Sequence, residues 1–423
     1  MKKSCIVVRP HQYDSPPRHL PLVDLLVDTR AELFELAIAS GLRVLTTMLE
    51  EDRTAACGAR YAHQPDRAAS RAGTVPSEVV LGGRKVAIRR PRVRADGREV
   101  VLPTFRTMAA ADPLNRRVVE QMLVGVATRQ YARSLEPLPA TVPSRGTSKS
   151  AVSRRFVAQT RAQLAAWQSA SLEGLDLVGL LLDGVHVGDH CLIVALGIAA
   201  DGTKHALGLW DGSTENATLC QSLLANLQSR GLRTDRSLLV MLDGSKALRK
   251  AVRDTFGDAA LVQRCQVHKL RNVLDHLPER QRPWVKASLQ RAYRCTEVAP
   301  ARRLLLDLVR RLETDHPSAA ASVNEGLDET LTVLGLHLSE ALQRSLVTTN
   351  AAESLISRTR QVKRNVKRWR SGQMVVRWVA AGVLEAVKGF RRVKGYKAMP
   401  QLVAALRARD QTLGLVTDAE NVA

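Results

Sequence analysis

Leu177-Val178-Gly179-Leu180-Leu181-Leu182-Asp183-Gly184 decides the fold. Six apolar or small residues in a row read as a buried strand, and they run straight into a carboxylate and then a glycine. The pattern returns at Leu238-Leu239-Val240-Met241-Leu242-Asp243-Gly244. In both places the glycine lets the backbone turn, so the strand is expected to end there with its Asp at the C-terminal edge of a sheet. Outward from this pair, residues 191–199 and 205–210 read as strands joined by an Asp201-Gly202 hairpin turn. A helix over about 215–230 precedes the second Asp strand, and another starts at Lys246. Three strands in hairpin order, then a helix and a further strand, predict an α/β fold with helices on the faces of a mixed sheet. Beyond Cys265 the chain reads as helical to about Leu346, with breaks at Pro278, Pro300 and Pro317.

Upstream, residues 1–75 are weakly periodic, with one amphipathic helix within 28–50 that is expected to end near Gly41. Residues 77–94 read as two strands about Gly82-Gly83, with Lys and Arg recurring along the second, and a short third strand covers 99–102. Residues 116–126, 128–136 and 148–170 read as three helices, the last capped by Thr147 or Ser148. Its first turns set Lys149, Arg154 and Arg155 among small hydroxyls, with Val152 and Phe156 on the other face. A recognition helix in a DNA major groove needs that division, and so does a plain surface helix in a bundle.

The chain of 423 residues carries 63 Lys and Arg against 41 Asp and Glu, a net charge of +22. A composition 45% hydrophobic and 25% charged excludes disorder throughout. Aromatics make up only 4%, which argues against binding single strands by stacking many bases and for phosphate contact by Arg and Lys. The basic start, Met1-Lys2-Lys3, is followed by too short an apolar run for the core of a signal peptide. No stretch reaches the roughly 18 apolar residues of a membrane helix. Six scattered cysteines without a CxxC pair suit a reducing compartment. These features predict a cytoplasmic protein with no membrane association and with nucleic acid as its polyanionic partner; a merely solvated basic surface is the plainer alternative.

A carboxylate inside an apolar strand needs a compensating partner, and two neighbouring ones cannot readily share a site without a cation between them. Mg²⁺ or Mn²⁺ suits Asp183 and Asp243, because hard cations take oxygen ligands. Each taken alone can equally be an ordinary Asp-Gly turn. A third carboxylate stands in Thr348-Thr349-Asn350-Ala351-Ala352-Glu353-Ser354, where Thr349 or Asn350 can cap a helix and Glu353 falls in its first turn. From Ser354 to Lys397 there follow 13 Lys and Arg and a single acid, Glu385. A carboxylate beside such a stretch is suited to holding metal where phosphates are delivered.

Four strings, in this order, resemble those of the bacterial mutator-type insertion-sequence transposases: Leu-Asp-Gly-Val-His (182–186), Gln-Arg-Cys-Gln-Val-His-Lys-Leu-Arg-Asn-Val (263–273), Thr-Asn-Ala-Ala-Glu-Ser (349–354), and the stretch 377–397 that begins Arg-Trp-Val-Ala-Ala-Gly. The resemblance covers about residues 110–400. It implies a ribonuclease-H-like core with an Asp-Asp-Glu triad, Asp183, Asp243 and Glu353, interrupted by an all-helical insertion. The 60 residues between the aspartates then hold the rest of the sheet, and the 110 before Glu353 hold the inserted helices. The implied activity is that of a DDE transposase, cleaving DNA at the ends of an insertion sequence and joining it to a target with two Mg²⁺ or Mn²⁺ ions per site. The implied partners are double-stranded DNA, both terminal inverted repeats and target, and a second copy of the chain, since two ends must meet.

On this reading residues 1–105 are an N-terminal region with a basic β-hairpin, and 106–172 a helix-turn-helix-like DNA-binding domain. The core occupies 173–265 and 346–400, the insertion 266–345 and a tail 401–423. DNA contacts fall to Lys149, Arg154, Arg155, Arg358, Lys363, Arg364, Lys367, Arg368 and Arg370. Cys265 and His268 form a signature that braces the sheet or touches DNA; as zinc ligands they would be two where a structural site wants four. Trp369 either stacks on a flipped base or covers apolar core. The chain departs from the family pattern at Gly244-Ser245-Lys246, after the second Asp, and over residues 1–75. Two other functions compete: a catalytically silent DNA-binding regulator, and a ribonuclease-H-like nuclease without strand transfer.

Overall fold

The computed structural model describes residues 21–62, 68–81, 84–110, 115–135, 144–146, 148–187, 190–212, 217–363, 366 and 368–415. The chain forms two compact units, Met1–Val118 with Thr128–Ser153, and Val119–Ala127 with Arg154–Ala423.

The N-terminal elements are α1 (Pro21–Cys57), β1 (Ser70–Leu81), β2 (Arg84–Ala95), β3 (Arg98–Val100), α2 (Pro103–Ala110), α3 (Asn115–Leu123) and β4 (Ser144–Gly146). β1 and β2 pair antiparallel down to Leu81 opposite Arg84, so the expected hairpin forms; Gly82 and Gly83 themselves lie outside the described residues. Leu45, Leu49, Val79, Val86, Val93 and Leu102 make the core of this unit. Three expectations change. The helix does not stop at Gly41, where an added Cβ would meet nothing within 4 Å; one glycine, costing about 1 kcal/mol relative to Ala, does not end a helix of 37 residues. The third strand is Arg98–Val100, and Leu102 beyond it is buried in the core. Over the described part of 128–136 there is one 3₁₀ turn, Tyr131–Ser134, in place of a helix.

After α4 (Lys149–Ser169), capped by Ser148 Oγ, which accepts from Ala151 N at 3.2 Å, comes the main sheet. It consists of β5 (Leu177–Val187), β6 (His190–Ala199), β7 (Lys204–Gly212), then α5 (Ala217–Ser229), β8 (Leu238–Leu242), α6 (Lys246–Phe256) and β9 (Ala260–Arg264). The strand order is β7-β6-β5-β8-β9, antiparallel from β7 to β5 and parallel from β5 through β9. The mixed sheet is therefore as expected, with one change: β5 does not end at Asp183. Its pairing with β8 stops at Leu182 opposite Leu242, while pairing with β6 carries it to Val187. Strand β9 has a weak local signal, because its short apolar run is interrupted by Gln263. That residue is fully buried and satisfied from far along the chain: Nε2 donates to Thr330 O at 3.0 Å, and Oε1 accepts from Val333 N at 2.8 Å.

Helices follow: α7 (Gln266–Asp275), α8 (Arg282–Tyr293), α9 (Val298–Glu313), α10 (Pro317–Asn324), α11 (Glu340–Leu346), α12 (Asn350–Lys363), α13 (Gly372–Val387) and α14 (Met399–Leu413). As expected, residues 266–346 contain helices and turns and no strand, with Pro300 and Pro317 inside first helical turns. Helices α7 to α10 bury an apolar core of their own, including Val285, Leu289, Leu305, Leu308 and Val323.

Period-two alternation explains why the central strands are apolar on both faces. Leu180, Leu182, Val240 and Leu242 pack against Leu223 and Leu227 of α5 and Leu248 and Val252 of α6. Leu181, Leu239 and Met241 pack on the opposite side with Leu355 of α12, Val379 of α13 and Leu402 of α14. Leu355 is fully buried and joins α12 to the sheet. Replacing it by Ala is expected to cost about 2–5 kcal/mol in urea unfolding; a loss below about 0.5 kcal/mol, typical of surface sites, would show that α12 is not anchored in this way.

Candidate active site

Parallel strands run about 4.8 Å apart, and the register of β5 and β8 brings Asp183 and Asp243 to the same level as near neighbours. Asp183 shares the parity of Leu181 and so belongs to the face covered by α12; it is 3% exposed. Asp243 Oδ1 accepts the backbone N–H of Ser245 at 2.9 Å.

Three backbone and side-chain links bring the glutamate to this edge. Cys265 N donates to Leu242 O at 2.7 Å, tying the residue after β9 to the end of β8, and Gln266 N donates to Val347 O at 3.0 Å. Thr349, fully buried, donates from its backbone N to Cys265 Sγ at 3.4 Å and from Oγ1 to the same sulfur at 3.5 Å. Its Oγ1 also lies 3.3 Å from His268 Nδ1. Glu353 N donates to Thr349 O at 3.0 Å, which seats Glu353 in the first turn of α12. The glutamate is not merely a cap, since its Oε1 lies 3.4 Å from His268 Nε2 and 3.2 Å from Arg271 Nη1.

Asp183, Asp243, Glu353 and His268 lie close enough for their charges to act on one another. Burial, then the charge of Asp243, and to a smaller degree Glu353, push Asp183 up to about 7, against the pull of His268. His268 is raised to about 9 by its hydrogen bond with Cys265 and by Asp183 and Asp243. Burial pushes the Cys265 thiol up, but hydrogen bonds with His268 and Thr349 outweigh it and bring the thiol below its usual value. Three mutually repelling oxygen donors are the donor set a hard divalent cation takes. Among the described residues no three His, Cys, Asp or Glu side chains already stand as a ready cage. Glu353 is held aside by His268 and Arg271, so it would have to leave them to join a shared ion.

The remaining expected residues are spread more widely. Lys149 and Arg154 are exposed on α4 and Arg155 is half-buried. Arg368 and Arg370 are exposed, while Trp369 between them packs against the core on the α13 side of the sheet. Arg358 and Lys363 lie on α12, and Arg364 and Lys367 fall outside the described residues. Arg271 was not anticipated; its signal was its position three residues after His268, which puts both on one helix face.

Fold and site define an α/β protein with a carboxylate centre at one edge of a mixed sheet. Residues 31–392 match the family described as transposase, Mutator family, and the chain belongs to that family. The match takes in much of the N-terminal stretch that had seemed to depart from the pattern. The chain is 30% identical over 212 residues to the transposase for insertion sequence element IS6120 of Mycolicibacterium smegmatis, covering 49% of this chain and 64% of that one. It is 32% identical over 170 residues to the transposase for insertion sequence element IST2 of Acidithiobacillus ferrooxidans, 40% of this chain and 56% of the relative. Against the transposase for insertion sequence element ISRM5 of Rhizobium meliloti it is 26% identical over 387 residues, 90% and 94% of the two chains. The first two matches thus span less than two thirds of those relatives. Among the described residues, no helix is long and apolar enough to cross a membrane.

The raised Asp183 has a measurable consequence. Between about pH 4 and about 7 the folded chain keeps a proton that the unfolded chain has lost, so this stabilisation is present at low pH and disappears as pH rises toward 7. Asp183→Asn avoids that loss. Without divalent metal it is expected to melt above the wild type at pH 8, with the gap narrowing toward pH 4; equal melting temperatures at pH 8 would contradict the assignment.

Proposed function

We propose that this chain is a DDE transposase that cleaves DNA at the ends of an insertion sequence and joins the freed 3′ ends to target DNA. The observation that carries the reading is the placement of Asp183 and Asp243 at adjoining strand ends, with Glu353 brought toward them through Cys265, Thr349 and His268, although 60 and 110 residues separate the three in sequence. The strand order β7-β6-β5-β8-β9, with helices on both faces, supports a ribonuclease-H-like core. The names of the relatives and the family point the same way.

Asp183, Asp243 and Glu353 would hold two Mg²⁺ or Mn²⁺ ions. When bound, the ions activate the attacking water or 3′-hydroxyl and stabilise the departing 3′-oxygen. Asp183 supplies a buried anchor whose ionisation a cation favours. Cys265 and Thr349 tie the start of α7 to the start of α12, and His268 and Arg271 hold Glu353 at the edge of the site. Cys265 and His268 are thus a brace more than a DNA contact. Arg358, Lys363, Arg364, Lys367, Arg368 and Arg370 follow the glutamate and would neutralise phosphates, with Trp369 serving the core. Lys149, Arg154 and Arg155 would read DNA from the first turns of α4, in a helix-turn-helix-like region whose middle element is reduced to a 3₁₀ turn. The partners are terminal inverted repeats, target DNA and at least one further copy of the chain, acting in the cytoplasm.

A supercoiled plasmid carrying the native element ends, incubated with purified protein and Mg²⁺, tests this. Wild type should cleave and join; Asp183→Ala, Asp243→Ala and Glu353→Ala should each bind the ends and do neither. Normal cleavage by any one of them removes that residue from the triad. Cleavage without joining by the wild type would favour a simple nuclease, and binding alone a silent regulator.

A further inference from the structure

The residue after Asp243 opens onto a second feature that the carboxylates do not use. A cleft of about 350 Å³ lies between the start of α6 and the chain just after α10. Lys246, Arg249, Lys250, Arg253 and Arg264 line it, against two acids, Glu325 and Glu329. Arg249 is paired with Glu329, and Lys250 with Asp254 at 2.8 Å. Lys246 is 90% exposed and reaches Glu325 only at 3.9 Å, and Arg253 is exposed without an ion-pair partner among the described residues.

Arg264 is the informative member. Its side chain is 7% exposed, with Nη1 donating to Glu325 O at 2.9 Å and Nη2 to Gly244 O at 3.1 Å and Glu325 Oε2 at 3.2 Å. Together with Lys269, whose Nζ donates to Ser322 O and Glu325 O, both at 2.6 Å, it satisfies carbonyls at the C-terminal end of α10. That structural role leaves Nε buried without an acceptor. Nε has no exposed surface, so the outward-facing charge of the cleft is carried by Lys246 and Arg253. Two glycines let the guanidinium lie against the chain. At Gly244, φ +112°, an added Cβ would stand 2.6 Å from Arg264 Nε, and at Gly326, φ +64°, 2.6 Å from Nη1. Lys246, Arg249, Lys250 and Arg253 stand along one flank of α6, so the helix lays a row of cations along the cleft.

We infer that this cleft binds a backbone phosphate of the DNA strand that enters the carboxylate site. A phosphodiester suits the surplus of cations over acids, and the cleft begins one residue beyond Asp243. The inference rests on the proposed action on DNA but is read out by binding alone.

The test uses the full-length protein, in EDTA, with a fluorescein-labelled duplex of unrelated sequence, and follows anisotropy across a salt series. Lys246→Ala/Arg253→Ala removes two surface cations that carry no structural bond of normal length. Its slope of log Kobs against log salt is expected to be shallower than wild type by about 1–2 units. A control with the same loss of charge, Arg291→Ala/Arg310→Ala on α8 and α9, should keep the wild-type slope. An unchanged slope in the first variant, or an equal flattening in the control, overturns the cleft as a phosphate site. Wild-type plasmid cleavage decides the catalytic reading separately, whichever way the slopes fall.

Discussion

Parallel pairing of β5 with β8 ends at Leu182 and Leu242, and the next residue on each strand is an aspartate. Two carboxylates so placed repel one another, and burial of Asp183 adds a desolvation penalty that the Gly184 backbone hydrogen bond relieves only in part. The surrounding architecture can be read as the means of tolerating that pair. Apolar faces on both sides of the sheet fix the strands, so the aspartates cannot drift apart, and the nearest cationic groups come from the helices that follow.

The third carboxylate reaches the pair through a chain of hydrogen bonds rather than through the sheet. Cys265 is bonded to Leu242 through its backbone and to Thr349 through its sulfur, and Gln266 is bonded to Val347. These contacts bring together the two ends of the helical stretch 266–346, which has an apolar core of its own. The Cys-x-x-His signature therefore belongs to the joining of those ends. His268 serves twice, near Thr349 on one ring nitrogen and near Glu353 on the other. Arg264 and Lys269 secure the far side of the same junction at the end of α10.

Much of this was legible from sequence where the physics is local. The unbroken apolar runs before Asp183 and Asp243, the Asp201-Gly202 turn and the Thr349-Asn350 start of α12 each carry their signal within a few residues. What was missed depends on distant partners. Gln263 makes β9 look polar because its amide is satisfied by residues near 330, about 70 positions on. Arg271 and Arg264 were not singled out because their acceptors, Glu353 and Glu325, lie elsewhere in the chain. Gly41 failed in the opposite direction, where local propensity was weighted above helix length.

The central claim is that Asp183, Asp243 and Glu353 act as one cation centre when DNA is present. Anomalous scattering from crystals of the protein with element-end DNA and Mn²⁺ tests it most directly. The account predicts manganese shared by Asp183 and Asp243, with Glu353 released from Arg271 toward the metal. Manganese bound elsewhere, with Glu353 still paired to Arg271 and the aspartates free of metal, would contradict it.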